Sequence, residues 1–234
     1  MSPTAQVYLI PTVLSEDALD PLPAYILPTA LRCTVFYVEN ERTARRYLKK
    51  LSRDIVIDDY KWVPIHKAEE PVLAEFNTDL SRGLTIGILS EAGCPGVADP
   101  GQILVAAAQR AGATVTPLVG PSSILLGLMA SGMNGQLFRF NGYLPIEPDD
   151  RLKTIRRLEN DIYQTTCTQI FIETPYRNNA LLETLLRTCR PTTRLCLAVD
   201  ITGPAESIRT RTIAEWKASP PDLHKIPVLF LLGG

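Results

Sequence analysis

Short apolar runs followed by stretches of helical period organise the first half of the chain. Leu84 to Leu89 is too short for a helix and has no polar alternation, which predicts a strand covered on both faces. Val7 to Ile10, Thr34 to Val38 and Thr114 to Leu118 read the same way, and Trp62 to Ile65 reads as a short strand. Helices are predicted between them. Ile26 to Leu31 is a short one, and Ala44, Tyr47, Leu48 and Leu51 then recur at i, i+3, i+4 and i+7, opposite Arg42, Arg46, Lys49 and Arg53. Further helices are expected from Pro71 to Arg82, after Pro100 and from the Gly120-Pro121-Ser122-Ser123 turn to Ser131. For the one after Pro100, Asp99 is the expected N-cap and Gly112 the stop.

The pattern changes after Gly132. Phe138 to Tyr143 alternates apolar and polar residues, as a strand with one open face does. A basic helix is expected from Asp150 to Asp161, and an amphipathic one is expected to end at Thr188. Strands are predicted at Gln169 to Glu173, Arg194 to Asp200 and Ile226 to Leu232. The fold class is therefore α/β, with two α/β domains. Residues 1–118 form a mainly parallel sheet and residues 119–234 a mixed one, with the boundary near Leu118 to Gly120.

The longest connection in the first half is Ser90-Glu91-Ala92-Gly93-Cys94-Pro95-Gly96-Val97-Ala98-Asp99-Pro100-Gly101. Three glycines and two prolines at the carboxyl end of a parallel strand expose backbone groups where open α/β sheets bind small molecules. A tight structural turn is the plainer reading of such a loop, and its length favours a site. It has neither the lysine and hydroxyl of a P-loop nor a Gly-x-Gly-x-x-Gly turn, which argues against a polyphosphate ligand.

Composition narrows the class further. The 234 residues are 45% hydrophobic and 21% charged, which suits a globular chain. The net charge of −1 gives no overall pull toward nucleic acid or membrane, so any such binding needs a local patch. The basic helix is one candidate, because residues 41–53 carry six cations against Glu41, a charge of +5. That face is either simply solvated or a phosphate clamp for RNA. Cys33, Cys94, Cys167, Cys189 and Cys196 form no Cys-x-x-Cys pair, and His66 and His224 stand alone, so no zinc site is expected. No signal-like n-region opens the chain and no apolar run nears a membrane span, so a cytoplasmic protein with no membrane contact is expected.

The motifs in order resemble the tetrapyrrole methylase superfamily of S-adenosylmethionine (SAM) methyltransferases, and most of all its ribosomal RNA small-subunit methyltransferase I type. The family loop Ser-Asp-Ala-Gly-Thr-Pro-x-Ile-Ser-Asp-Pro-Gly is matched by Ser90 to Gly101, with Glu91, Cys94, Val97 and Ala98 as the substitutions. Gly120-Pro121-Ser122, Phe140-x-Gly142-Tyr143-Leu144-Pro145 and Glu173-Thr174-Pro175-Tyr176-Arg177 also match. The resemblance implies SAM held in a cleft between two α/β domains, a homodimer and no metal. By position it implies a cofactor site of Pro11, Ser90, Glu91, Ala92, Gly93, Pro95, Val97, Ala98, Asp99, Ser122, Ser123, Glu173 and Pro227.

The acceptor expected from the resemblance is a ribose 2′-hydroxyl of ribosomal RNA, in the small ribosomal subunit. Glu39 is the candidate base, and Arg42 its partner or a phosphate clamp. An ordinary ion pair at a helix end is the alternative for those two residues. The chain departs from the family in three places. Pro11-Thr12 is followed by Val13-Leu14-Ser15, Glu39-Asn40-Glu41-Arg42 replaces Glu-Asp-Thr-Arg, and Val199-Asp200-Ile201-Thr202-Gly203 replaces Arg-Glu-Leu-Thr-Lys. A tetrapyrrole or other small-molecule acceptor, and a SAM-binding module without catalysis, therefore stay open.

Overall fold

The computed structural model describes residues 4–65 and 70–234, so His66 lies outside the described residues. The chain divides into two units, Met1–Ser122 and Ser123–Gly234.

The first unit is an all-parallel sheet of β1 (Gln6–Leu9), β2 (Val35–Val38), β3 (Lys61–Pro64), β4 (Thr85–Leu89) and β5 (Thr114–Pro117), in the order β3-β2-β4-β1-β5. Its helices are α1 (Ile26–Ala30), α2 (Glu41–Leu51), α3 (Leu73–Ser81) and α4 (Gln102–Arg110). Right-handed crossovers decide their faces. Chain leaving β1 and β2 runs toward β3, so α1 and α2 pack Ile26, Ala30, Ala44 and Leu48 on Phe36 and Ile10. Chain leaving β3 and β4 runs the other way, so Phe76, Leu80, Leu104 and Ala107 cover the opposite face with Val35, Ile86 and Ile88. Both faces of β2 and β4 are thereby buried, as continuous apolar runs require.

Helix α4 begins later than its sequence suggests. Asp99 and Pro100 stay in the loop, and Gly101, at φ 126°, is the residue before the first turn. A buried ion pair closes the far side of the sheet. Asp79 on α3 is 1% exposed and accepts from Lys61 Nζ at 2.7 Å and from the Tyr37 hydroxyl at 2.9 Å.

The second unit holds β6 (Phe138–Tyr143), β7 (Thr168–Ile172), β8 (Arg194–Val199), β9 (Ser207–Thr212) and β10 (Val228–Gly233), in the order β6-β7-β10-β8-β9. Only the β6–β7 pair is parallel, so the sheet is mixed. Its helices are α5 (Ser123–Ser131), α6 (Pro148–Thr165), α7 (Asn178–Thr188) and α8 (Ile213–Ala218). Ile155, Leu158 and Ile162 of α6 join Leu181 and Leu185 of α7 over Phe171 and Phe230. The sequence reading contains neither β9 nor α8. The start of α8 does carry a signal, a capping box in which Thr212 and Glu215 satisfy each other's backbone donors. No helix among the described residues is long and apolar enough to cross a membrane.

Lys61→Met removes the cation that pairs with buried Asp79 among the described residues. We expect a loss of about 2 to 3 kcal/mol in urea unfolding, the low end for a broken buried pair because Tyr37 still donates and Lys61 is itself 40% exposed. Lys61→Arg should recover most of it.

Candidate functional site

Neighbouring strands β1 and β4 send their chains to opposite faces, so a crevice opens at their carboxyl ends. Thr12 closes its floor. Its backbone N–H donates to the Gly93 carbonyl at 2.8 Å and its hydroxyl to the Ser90 carbonyl at 3.3 Å. The Tyr47 hydroxyl, buried on α2, donates to the Pro11 carbonyl at 2.7 Å. Burial raises the Tyr47 pKa, so the phenol stays a donor. Tyr47 was legible in the sequence only as an apolar position, and Thr12 only as the end of a strand; together they fix Pro11 and the loop.

Left-handed backbone shapes the loop itself, at Gly93 (φ 71°), Gly96 (φ 77°), Ala98 (φ 64°) and Gly101. A Cβ on Gly93 would also lie 3.1 Å from Leu14 Cδ2 and 3.3 Å from the Pro121 carbonyl oxygen. The Cys94 thiol lies 3.5 Å from that same carbonyl, which sets the loop against the residues leading to Ser122. Val97 projects outward and is 49% exposed.

Glu39 stands one residue past β2, and one of its carboxylate oxygens accepts the Glu91 backbone N–H at 3.0 Å. Glu91 in turn accepts the Thr43 hydroxyl from the first turn of α2. Asn40 is the N-cap of α2, accepting from the backbone of Arg42 and Thr43, so the amide preserves the capping that an aspartate would give. The structure brings Glu39 to the loop but forms no ion pair between Glu39 and Arg42, whose side chain is exposed. Beside these residues, Thr12, Val13, Leu14, Thr43, Tyr47, Ser90, Glu91 and Ala92 line much of a cleft of about 330 Å³, within the range of small-ligand sites.

The basic face of α2 is only partly neutralised by its surroundings, and Arg42, Lys49 and Arg53 form no ion pair among the described residues. Arg46 pairs with Glu16 at 3.1 Å, Lys50 with Asp17 at 2.9 Å and Arg45 with Glu41 at 2.8 Å. Lys49 donates to the Arg53 carbonyl.

Three positions of the implied cofactor site, Ser123, Glu173 and Pro227, belong to the second unit. Glu173 directly follows β7, and the antiparallel register of β10 sets Pro227 beside that strand end. Glu173 Oε1 accepts from the Thr174 N–H at 2.7 Å and from Arg177 at 2.6 and 2.9 Å. Its other oxygen is buried and has no partner, an acceptor left open for a ligand donor. Among the described residues no group of three His, Cys, Asp or Glu side chains could hold a metal ion.

Asp99 is pushed up to about 6 from its ordinary 3.8, first by burial and next by the charge on Glu39, while a hydrogen bond from Ser90 pulls the other way and Glu91 adds to the rise. A carboxyl raised on folding contributes stability that is complete below its unfolded pKa and is lost as pH rises through its folded pKa. Asp99→Asn should therefore match the wild type near pH 4 and exceed it in thermal midpoint above pH 7. A difference that does not vary with pH would contradict this environment.

No family model matches the chain. Ribosomal RNA small subunit methyltransferase I of Vibrio cholerae is 33% identical over 178 residues, covering 74% of this chain and 60% of that protein. The chain spans about three fifths of the length of the curated relatives it matches. Among solved structures, the methyltransferase CobJ superposes with a TM-score of 0.65 at 17% identity, over 100% of this chain and 95% of that one. Uroporphyrin-III-C-methyltransferase from Thermus thermophilus gives 0.56 at 19% identity, over 98% and 92%. The chain is thus similar in sequence to ribosomal RNA small subunit methyltransferase I proteins, and it shares the fold of these two methyltransferase structures.

Proposed function

We propose that the protein is a cytoplasmic SAM-dependent methyltransferase that modifies a ribose 2′-hydroxyl in small-subunit ribosomal RNA. The observation that carries this reading is the loop from Ser90 to Gly101, bent by left-handed backbone at the carboxyl end of β4 and set beside the carboxylates of Glu39, Glu91 and Asp99. Bound SAM supplies an electrophilic methyl group together with two positive charges, on its sulfonium and its amino group.

The residues present fit such a ligand. Carboxylates of Glu39, Glu91 and Asp99 favour a cation electrostatically, and the unpaired Glu173 oxygen suits an amino donor. Ser90, Ala92, Gly93, Pro95, Val97 and Ala98 contribute main-chain groups, with Pro11, Ser122, Ser123 and Pro227 as further lining. Gly93 has no side chain at a point where Leu14 and Pro121 already crowd the backbone.

Glu39 is assigned as the base. Its bond to the Glu91 N–H uses one oxygen and orients the carboxylate, leaving the other to accept the hydroxyl proton. Arg42, exposed at the start of α2, is assigned to an RNA phosphate. Orientation supplies much of the acceleration in such a displacement. The assembly expected to carry the site is a homodimer. A second reading, a SAM-binding module without catalysis, is favoured by Asp200 to Gly203, where the family's basic residues are missing.

Two measurements test the reading. Calorimetry should show binding of SAM or its demethylated product, and Gly93→Val should abolish it, because a β-branched residue at φ 71° is strained as well as crowded. Unchanged affinity in the variant would place the ligand elsewhere. Labelled methyl should transfer to small-subunit RNA from cells lacking the protein and survive alkali as a 2′-O-methyl dinucleotide. Glu39→Gln should lower kcat at saturating SAM by roughly 10²-fold or more, with SAM binding weakened but still measurable. Binding without transfer to any RNA would favour the second reading.

A further inference from the structure

The second unit holds a groove of about 490 Å³ lined by Arg139, Lys153, Arg156, Arg157, Asn160, Asp161 and Gln164. Six of these come from α6, and Lys153, Arg156, Arg157, Asn160 and Gln164 fall at i, i+3, i+4, i+7 and i+11, one stripe of a helix. The stripe runs about 16 Å at the α-helical rise. Arg139 projects from β6, the edge strand of the sheet.

The groove carries more positive than negative charge. Four cations face one lining carboxylate, Asp161, which already accepts from Gln169 at 2.7 Å and lies 3.6 Å from Arg139. Lys153 has only the weak i,i+3 contact with Asp150 at 3.3 Å, both side chains being mostly in water. Arg156 and Arg157 are exposed and have no ion pair among the described residues. Asn160 and Gln164 extend the same row with amide donors.

On these observations, we infer that the α6–β6 groove is a docking surface for the sugar-phosphate backbone of RNA, separate from the methyl-transfer site. The lining consists of charged groups and amides, which suits phosphates and gives a peptide side chain no apolar seat. A membrane surface is disfavoured because the apolar face of α6, with Ile155, Leu158 and Ile162, is buried in the core. The chain's net charge of −1 makes such a local patch necessary for any polyanion. The inference rests on the RNA acceptor reading, and it adds α6 to the single phosphate contact assigned to Arg42 on α2.

The test is binding of small-subunit ribosomal RNA by the full chain across a salt series, with wild type beside Arg156→Ala/Arg157→Ala. Both side chains are exposed and unpaired, so the thermal midpoint and SAM affinity should not change. The variant should bind RNA roughly tenfold more weakly near 0.1 M salt, and its slope of log affinity against log salt should fall by about 1.4 to 1.8 for two lost phosphate contacts. Arg156→Lys/Arg157→Lys should keep most of that slope. Wild type that binds RNA together with a double-alanine variant of equal affinity and slope overturns the docking surface alone. Wild type that binds no RNA at any salt overturns the acceptor reading, and this assignment with it.

Discussion

Everything at the candidate site depends on how the backbone of one long loop is held while part of it stays open. A loop at the end of a buried parallel strand must satisfy its N–H and C=O groups without a ladder partner. Here Thr12 meets Gly93 and Ser90, Glu39 meets the Glu91 N–H, and Gly96 donates to the Pro100 carbonyl at 3.1 Å. Those bonds fix the turn, and the positive φ at Gly93, Gly96 and Gly101 lets it bend without steric penalty. Ala98 adopts the same region with a Cβ, at a cost on the order of 1 kcal/mol that the surrounding bonds must offset.

The placement of charge follows from the same geometry. Glu39 and Glu91 are held near Asp99 by the loop's own hydrogen bonds, so their mutual repulsion is built into the fold. Burial of Asp99 first, and the Glu39 charge beside it next, disfavour its ionised form, so Asp99 keeps its proton to higher pH. A cationic ligand would relieve that repulsion, which is the physical link between this strained cluster and the proposed SAM site. Arg46, Lys50 and Arg45 of α2 are committed to Glu16, Asp17 and Glu41, and Arg42 forms no ion pair with Glu39.

What could be read from the sequence was set by burial. Strands β2, β4 and β10 are apolar throughout because both faces are covered, and the runs that encode them are plain. Strand β6 spans the residues its alternation marked, but its burial does not alternate: Phe138 and Tyr143 are both exposed, and its pairing with β7 shifts between Phe140 and Tyr143. Strand β9 was missed because Ser207-Ile208-Arg209-Thr210-Arg211-Thr212 is an edge strand with a single large aliphatic side chain, so no run announces it. The start of α4 was misplaced for a different reason. Asp99-Pro100 is good helix-start chemistry, yet the loop turns Asp99 toward Glu39 and Ser90, and only Gly101 can take the backbone at φ 126° that begins the helix. Roles such as that of Tyr47, apolar by pattern and a hydrogen-bond donor in fact, need coordinates.

The departures from the family pattern divide once the geometry is known. Asn40 replaces an aspartate without loss of its capping oxygen, so that change leaves the start of α2 and the position of Glu39 intact. Asp200 to Gly203 is another matter. There the backbone passes through positive φ at Asp200 and Thr202, the Asp200 carboxylate accepts the Ala205 N–H at 2.9 Å, and Glu206 accepts the Thr202 N–H at 2.6 Å. The segment is an acidic turn in place of a basic one, with no cation for a phosphate and with the Thr202 hydroxyl left without a partner. Any cation lost there has to be supplied by another part of the second unit, and the unpaired Arg156 and Arg157 on α6 are where its surface has cations to spare.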